Sequence, residues 1–512
     1  MTDTQTKPHT PEQTSQNPEE LILLLEKIDK EPVELFAPSD GDTKKTEFLS
    51  GDQTVWPRKN YDKLAQVDFA ERLDGIAQIR EQMAAADFAR ADFRKAYLAY
   101  VDNIFNVNYM MQQALIFDTT NDENARKTAA DEFMKTNIEL YGAPDRETYQ
   151  GLLADKLRAI RDKDLSGEAA ELREHLLAQF PDLNLEDSAP VYAPQPETVA
   201  WAHEAAKTLF QPLVDHIPKA EPDHEFTPVE IQNIFTEIIR DEFDEEVVDN
   251  ANNRANGSTV WVVEVNPNKT GLDVSPRERK ISIPEKRSSG NPNRADLETL
   301  IVHELGAHFM RSVIGEQSNL PLLRTGLNGY YTSEEGLGAV LEQAWKGEYS
   351  APLPWAYLIS GMSYFDGKSP AETFALLKMV RELTIAESGT SEIDEATETK
   401  VADFIYRNCQ RIFRGTDALP MFKDLAYFNG RTKIWQYMDS ICGDTERLTD
   451  MFSGKLDPTN DNDLKILRET TPNPDGVPEP DPELNRLEKL QLRQIAGKFV
   501  VDRALLKRIA NK

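Results

Sequence analysis

The stretch "LIVHELGAHFM", residues 300–310, sets two histidines five positions apart, His303 and His308, with Glu304 directly after the first. The common zinc-protease helix carries H-E-x-x-H, whose histidines four apart share one face. At about 3.6 residues per turn, a spacing of four separates side chains by about 40° around the axis, and a spacing of five by about 140°. On a regular α-helix His303 and His308 therefore diverge. A one-residue π-type bulge absorbs the extra residue and turns the second imidazole back toward the first. Gly306 and Ala307 carry no bulky side chain to oppose that deformation. The segment thus has the ingredients of a metal site; the alternative is a His303 packed in the core, with Glu304 facing solvent.

Catalytic zinc usually takes three protein ligands and keeps a fourth position open for water. The best source of a third ligand is "GYYTSEEGLGAVLEQ", residues 329–343. Its Thr332, Ser333, Glu334 and Glu335 also fit an S/T-x-x-E capping box, in which Glu335 only bonds the helix start. From the residues alone both readings stand. The other five histidines, His9, His175, His203, His216 and His224, are scattered. His203 is followed by Glu in "WAHEAAK" but has no second histidine within a turn, so it reads as a surface or structural residue.

A chain of 512 residues predicts two to four units and has no difficulty burying a core. Its 88 acidic and 58 basic residues, a net charge of −30, argue against nucleic-acid binding or a polybasic membrane surface. Cys409 and Cys442 are the only cysteines, which excludes a disulfide framework and leaves the chemistry to His and carboxylates. The N-terminus lacks a basic region followed by an apolar stretch, and no window holds about 18 consecutive apolar residues. A soluble, cytoplasmic protein without a membrane span is expected.

Residues 1–45, opening with a polar stretch that carries Pro8, Pro11 and Pro18, read as a disordered or weakly ordered tail. Residues 46–225 read as a helical N-terminal region, with Tyr97, Tyr100 and Phe105 as core aromatics. A new unit, 226–470, opens on a helix start in which Thr227 caps, Pro228 begins the first turn and Glu230 completes a capping box. Two β-rich runs, "TVWVVEVN" and "RERKISIPE", flank "PNKTGLDVSP" and read as strands joined by a turn, a small antiparallel sheet before the HELGAH helix. Ser369 and Glu372 form a second capping box further on. Residues 471–484 are a Pro-rich acidic linker. Residues 485–512 hold eight Lys/Arg against two acids, a basic amphipathic helix suited to docking on the chain's own acidic body or on an acidic partner.

"HELGAH" followed by "TSEEGLG" resembles the H-E-x-x-x-H plus E-G-L-A pair of the microtubule-associated tyrosine carboxypeptidases and their bacterial relatives, the QEGLA-motif proteins. Arg311, the strand "RKISIPE" and "RIFRGTDALPMFKDLAYFNG" add to the likeness, which covers about residues 225–455. The resemblance implies an α+β, predominantly helical fold with a gluzincin-like metallopeptidase domain. It implies that His303, His308 and Glu335 bind one zinc ion and that Glu304 is the catalytic acid/base. The activity implied is a zinc-dependent carboxypeptidase removing the last residue, Tyr or Phe, from a peptide or protein C-terminus. This chain departs from the motif at Glu334, where the family has Gln, and at Gly338, where it has Ala.

A tetrahedral intermediate needs a donor besides the metal, for which Tyr330 and Tyr331 are candidates. A terminal carboxylate needs a cation, for which Lys423 and Arg414 rank above Arg311. Two other readings compete. Dipeptidyl peptidase III carries H-E-x-x-G-H, with glycine where Ala307 stands here. A regulatory scaffold with a structural metal site is the non-enzymatic reading. Tubulin is not an expected substrate, because a chain of charge −30 repels acidic tails.

Overall fold

The computed structural model describes residues 17–469, except 29–34, 256–258, 288–289 and the single positions 89, 190, 220, 222, 244, 270, 317 and 319. The linker 471–484 and the basic segment 485–512 lie outside the described residues. Helices dominate, and one small four-stranded sheet stands beside the HELGAH segment. Among the described residues no helix is long and apolar enough to cross a membrane.

The strands are β1 Val247–Val248, β2 Trp261–Asn266, β3 Asp273–Ser275 and β4 Lys280–Pro284, in the spatial order β1-β2-β4-β3. The sheet is mixed, which corrects the antiparallel expectation. β2 runs parallel to β4, with Val263 opposite Ile281, and only β3 pairs antiparallel to β4, with Val274 opposite Ile281. The cause lies in the segment read as a turn. It contains β3, and the reversal comes later, at residues 276–279, where Arg279 takes a left-handed φ of 46°. The chain therefore makes its hairpin from β3 and β4, and β2 enters by a crossover long enough to permit parallel pairing.

Both capping boxes form. Thr227 and Glu230 exchange bonds at the start of helix Pro228–Phe243, and Ser369 and Glu372 do so at helix Pro370–Ile385. Helix Pro228–Phe243 covers the sheet with Ile231, Ile234, Phe235, Ile238 and Ile239, all buried. Trp261 of β2 and Phe243 both meet Phe309 edge-on, with ring centroids 4.6 and 5.0 Å apart. That aromatic trio fixes the HELGAH segment to the sheet.

The regions do not separate as their composition suggests. Tyr149, Leu152, Leu153 and Leu157 of the N-terminal helices share one core with Trp355, Leu358, Phe374, Leu377 and Ile405. Helix Pro196–Val214 packs directly under the HELGAH segment, with the Phe210 ring against Gly306. Helix Pro18–Ile28, assigned to the tail by composition, packs on helix Phe69–Ala85 and buries Leu21, Ile22 and Leu25 in one core with Ile76, Leu323 and Leu456. Its "LILLL" run is apolar enough to dock despite the polar stretch before it.

Candidate metal centre

The HELGAH segment is π-helical over Ile301–Phe309, continuing helix Arg294–Leu300 and passing into helix Met310–Glu316. The expected distortion thus does what the spacing requires. The His303 and His308 rings lie 5.0 Å apart, and the metal-binding atoms of His303, Glu304 and His308 all fall within 4.8 Å of one another. A second helix, Tyr331–Lys346, faces them. It places Glu334, Gly338 and Glu342 in a row, four residues apart and so on one face.

That row orients both imidazoles. His303 Nδ1 lies 2.6 Å from Glu342 Oε1, and His308 Nδ1 lies 2.8 Å from Glu334 Oε1. A carboxylate only accepts, so each Nδ1 carries the hydrogen and each Nε2 is left to coordinate. Among the described residues neither Nε2 has a hydrogen-bond partner. Gly338 makes room for this arrangement: a Cβ there would stand 2.7 Å from His303 Nε2.

Glu334 is buried and held by Arg311 and Lys455. Burial pushes its carboxyl up, but the charges of Lys455 and Arg311 and the bond to His308 hold it well below the usual carboxylate range. Glu334 is therefore a support for His308, with both its oxygens engaged. Glu335 stands outside the 4.8 Å cluster but is half-buried, and its charge acts on both His303 and Glu304. The Thr332–Glu335 capping box does not form, because the helix starts at Tyr331 with Tyr330 at its cap, two residues too early for it.

Burial lowers the His303 pKa, but the bond to Glu342 and the charges of Glu304, Glu342 and Glu335 outweigh it and raise it to about 9. Burial also raises Glu304, against the opposing pull of His303 and His308. Two imidazoles and a carboxylate in one partly buried cluster are a donor set that suits zinc.

The two tyrosines diverge. Tyr331 shares a helix face with Glu335, whose charge raises its hydroxyl pKa after burial; Tyr330 is raised by burial and then by Glu334, with Glu335 adding a smaller push. Lys423 Nζ sits 4.7 Å above the Tyr331 ring. Burial first, then Arg414, lowers the Lys423 pKa to about 8, and Asp424, then Glu335 and Asp273, act on it in the opposite direction. Among the described residues Lys423 has no ion-pair partner. Arg414 is committed in part, donating Nη2 to Asp424 at 3.0 Å, while its buried Nε has no acceptor.

Arg311 is not available to a substrate. It is fully buried, and its donors go to Gly454 O at 2.9 Å, Leu456 O at 2.6 Å and Glu334. Three residues after His308, within one helical turn, it serves as a structural anchor. His203 is structural as expected, its Nδ1 lying 2.8 Å from Ala344 O at the end of the facing helix.

Sequence reasoning missed Glu342, Lys455 and Tyr427, whose hydroxyl feels the Glu335 charge. The i, i+4, i+8 row of Glu334, Gly338 and Glu342 was the available signal for Glu342; nothing local marks the other two. Compared with family models, curated proteins and solved structures, the chain matches none.

Proposed function

We propose that the chain is a zinc-dependent carboxypeptidase of the gluzincin-like, H-E-x-x-x-H type, akin to the microtubule-associated tyrosine carboxypeptidases that its motifs resemble. The observation carrying this reading is the π-helical turn that gathers His303, Glu304 and His308, with both Nδ1 atoms already taken by carboxylates. His303, His308 and Glu335 would hold the metal. Zinc bound there would supply Lewis acidity to a scissile carbonyl and lower the pKa of water.

Glu304 is the acid/base. Its carboxylate takes a proton from the attacking water and returns it to the leaving amine, and burial tunes it toward that work by raising its pKa. Tyr331, kept protonated by burial and the Glu335 charge, is the better donor to a developing oxyanion. Lys423 receives the terminal carboxylate, with Arg414 beside it. Tyr331 and Tyr427 offer ring surface to an aromatic last residue. The substrate is a peptide or protein C-terminus in the cytoplasm.

The test pairs metal analysis with mass spectrometry of a free-acid peptide library. Wild-type protein is expected to hold about one zinc and to release single C-terminal residues. Glu304→Gln is expected to keep the zinc and lose about 10²–10⁴-fold in turnover. Bound zinc with no release from any peptide would leave a structural metal site instead, and release of N-terminal dipeptides would move the assignment to an aminopeptidase.

A further inference from the structure

Resting on the metal-site reading above, we propose that Lys455 is a positioning residue. With Arg311 it holds the Glu334 carboxylate against His308 Nδ1, and so fixes where the His308 Nε2 lone pair points.

Both Glu334 oxygens are occupied. Oε1 accepts from His308 Nδ1 at 2.8 Å and from Lys455 Nζ, and Oε2 accepts from Arg311 Nη1. Arg311 is 0 % exposed, and Glu334 and Lys455 are 2 % exposed each, so both cations depend on this one carboxylate out of reach of water. Burying two cations and an anion together is a poor source of stability, since apolar side chains of similar volume commonly do as well. It is an effective way to pin one carboxylate, because each oxygen is drawn to a different cation and the carboxylate plane cannot swing away from the imidazole.

The two cations are themselves tied together through three consecutive residues. Arg311 spends its remaining donors on Gly454 O and Leu456 O, the carbonyls on either side of Lys455. Lys455 N donates to Leu323 O at 2.8 Å, and Lys455 O accepts from Leu327 N at 2.9 Å. Leu456 is buried among Leu21, Ile22, Leu25 and Leu323. The amine of Lys455 thus reaches Glu334 from a loop more than a hundred residues away in sequence, whose Leu456 shares a core with the N-terminal helix.

The test is zinc affinity of the full chain, measured by competition with a chromogenic chelator, alongside thermal unfolding of the metal-free protein. Lys455→Met is expected to bind zinc about 10–100-fold more weakly, the loss typical when support for a ligating histidine is removed. Lys455→Arg, which keeps the charge, is expected to restore most of that loss. Lys455→Met that is folded and binds zinc as wild type does would overturn the proposal, as would a lower unfolding temperature with unchanged affinity, the signature of a merely structural ion pair. Should Lys455→Met fail to fold, the double variant E334Q/K455M removes one charge of each sign together. It is expected to show the same weakening, and wild-type affinity in it would be equally fatal. Wild-type protein that takes up no zinc would instead bring down the metal-site reading itself, and this inference with it.

Discussion

At the scale of single residues, the His303 limb depends on an absent side chain. A Cβ on Gly338 would stand 2.7 Å from both Cε1 and Nε2 of His303 and 3.0 Å from Nδ1. The ring cannot accept that contact without rotating off Glu342, to which its Nδ1 is bonded at 2.6 Å. Gly338→Ala is therefore expected to weaken zinc binding about 10–100-fold while the helix around it, flanked by the buried Leu337 and Val340, stays formed. Chelator competition reads the affinity and circular dichroism the fold; unchanged affinity would mean that the Glu342 contact does not set the ring. The histidines and Glu304 were legible in the sequence because covalent proximity reports them directly. Their supports were not, since Glu334 lies 26 residues from His308 and Glu342 lies 39 from His303, and only packing joins them. The capping-box reading of Glu335 failed for a local reason: the helix begins with Tyr331, so Glu335 does not cap it, and its charge acts on His303 and Glu304 instead.

Among the elements, the facing helix Tyr331–Lys346 is placed by its crossing with helix Leu425–Ser440. The two meet backbone to backbone. A Cβ on Gly336 would lie 2.2 Å from Gly430 C, and one on Gly430 would lie 2.0 Å from Thr332 O. Neither neighbour is a flexible side-chain tip, so the helices would have to part. Gly430→Ala is expected to destabilise the protein by about 2 kcal/mol or more, at the upper end of overpacking costs. The shift in the midpoint of urea unfolding at constant slope measures it, and a loss below about 0.5 kcal/mol, the range of ordinary surface substitutions, would mean the crossing yields easily. The same crossing brings Lys423 and Tyr427, at the start of one helix, to Tyr331 and Glu335 at the start of the other. Helix starts and the π-helical turn could be read from caps and spacing, which are local. The sheet was misread because strand partners are chosen by the connection as a whole, and a short β3 of three residues was hidden in what looked like a turn.

For the whole molecule, N-terminal helices share cores with later parts of the chain, as Tyr149 does with Trp355 and Leu21 with Leu456. The N-terminal helix Pro18–Ile28 illustrates the consequence. Its Glu19 accepts a hydrogen bond from Tyr97, and burial raises the Glu19 pKa to about 7, with Arg324 opposing and Glu26 adding to the rise. A carboxyl whose folded-state pKa lies above its ordinary value binds its proton more tightly when folded, so it favours folding at low pH. That contribution is complete below the ordinary value of 4.5 and is lost as pH climbs through about 7. Glu19→Gln, which keeps the acceptor for Tyr97 but cannot ionise, should therefore match wild type in thermal stability near pH 4.5 and exceed it at pH 8. Melting curves at the two pH values decide the matter. A Gln variant that is less stable than wild type at pH 8 would show that the ionised carboxylate, paired with Arg324, anchors the helix instead, and the N-terminal helix would then hold the loop of Lys455 most firmly where Glu19 is charged.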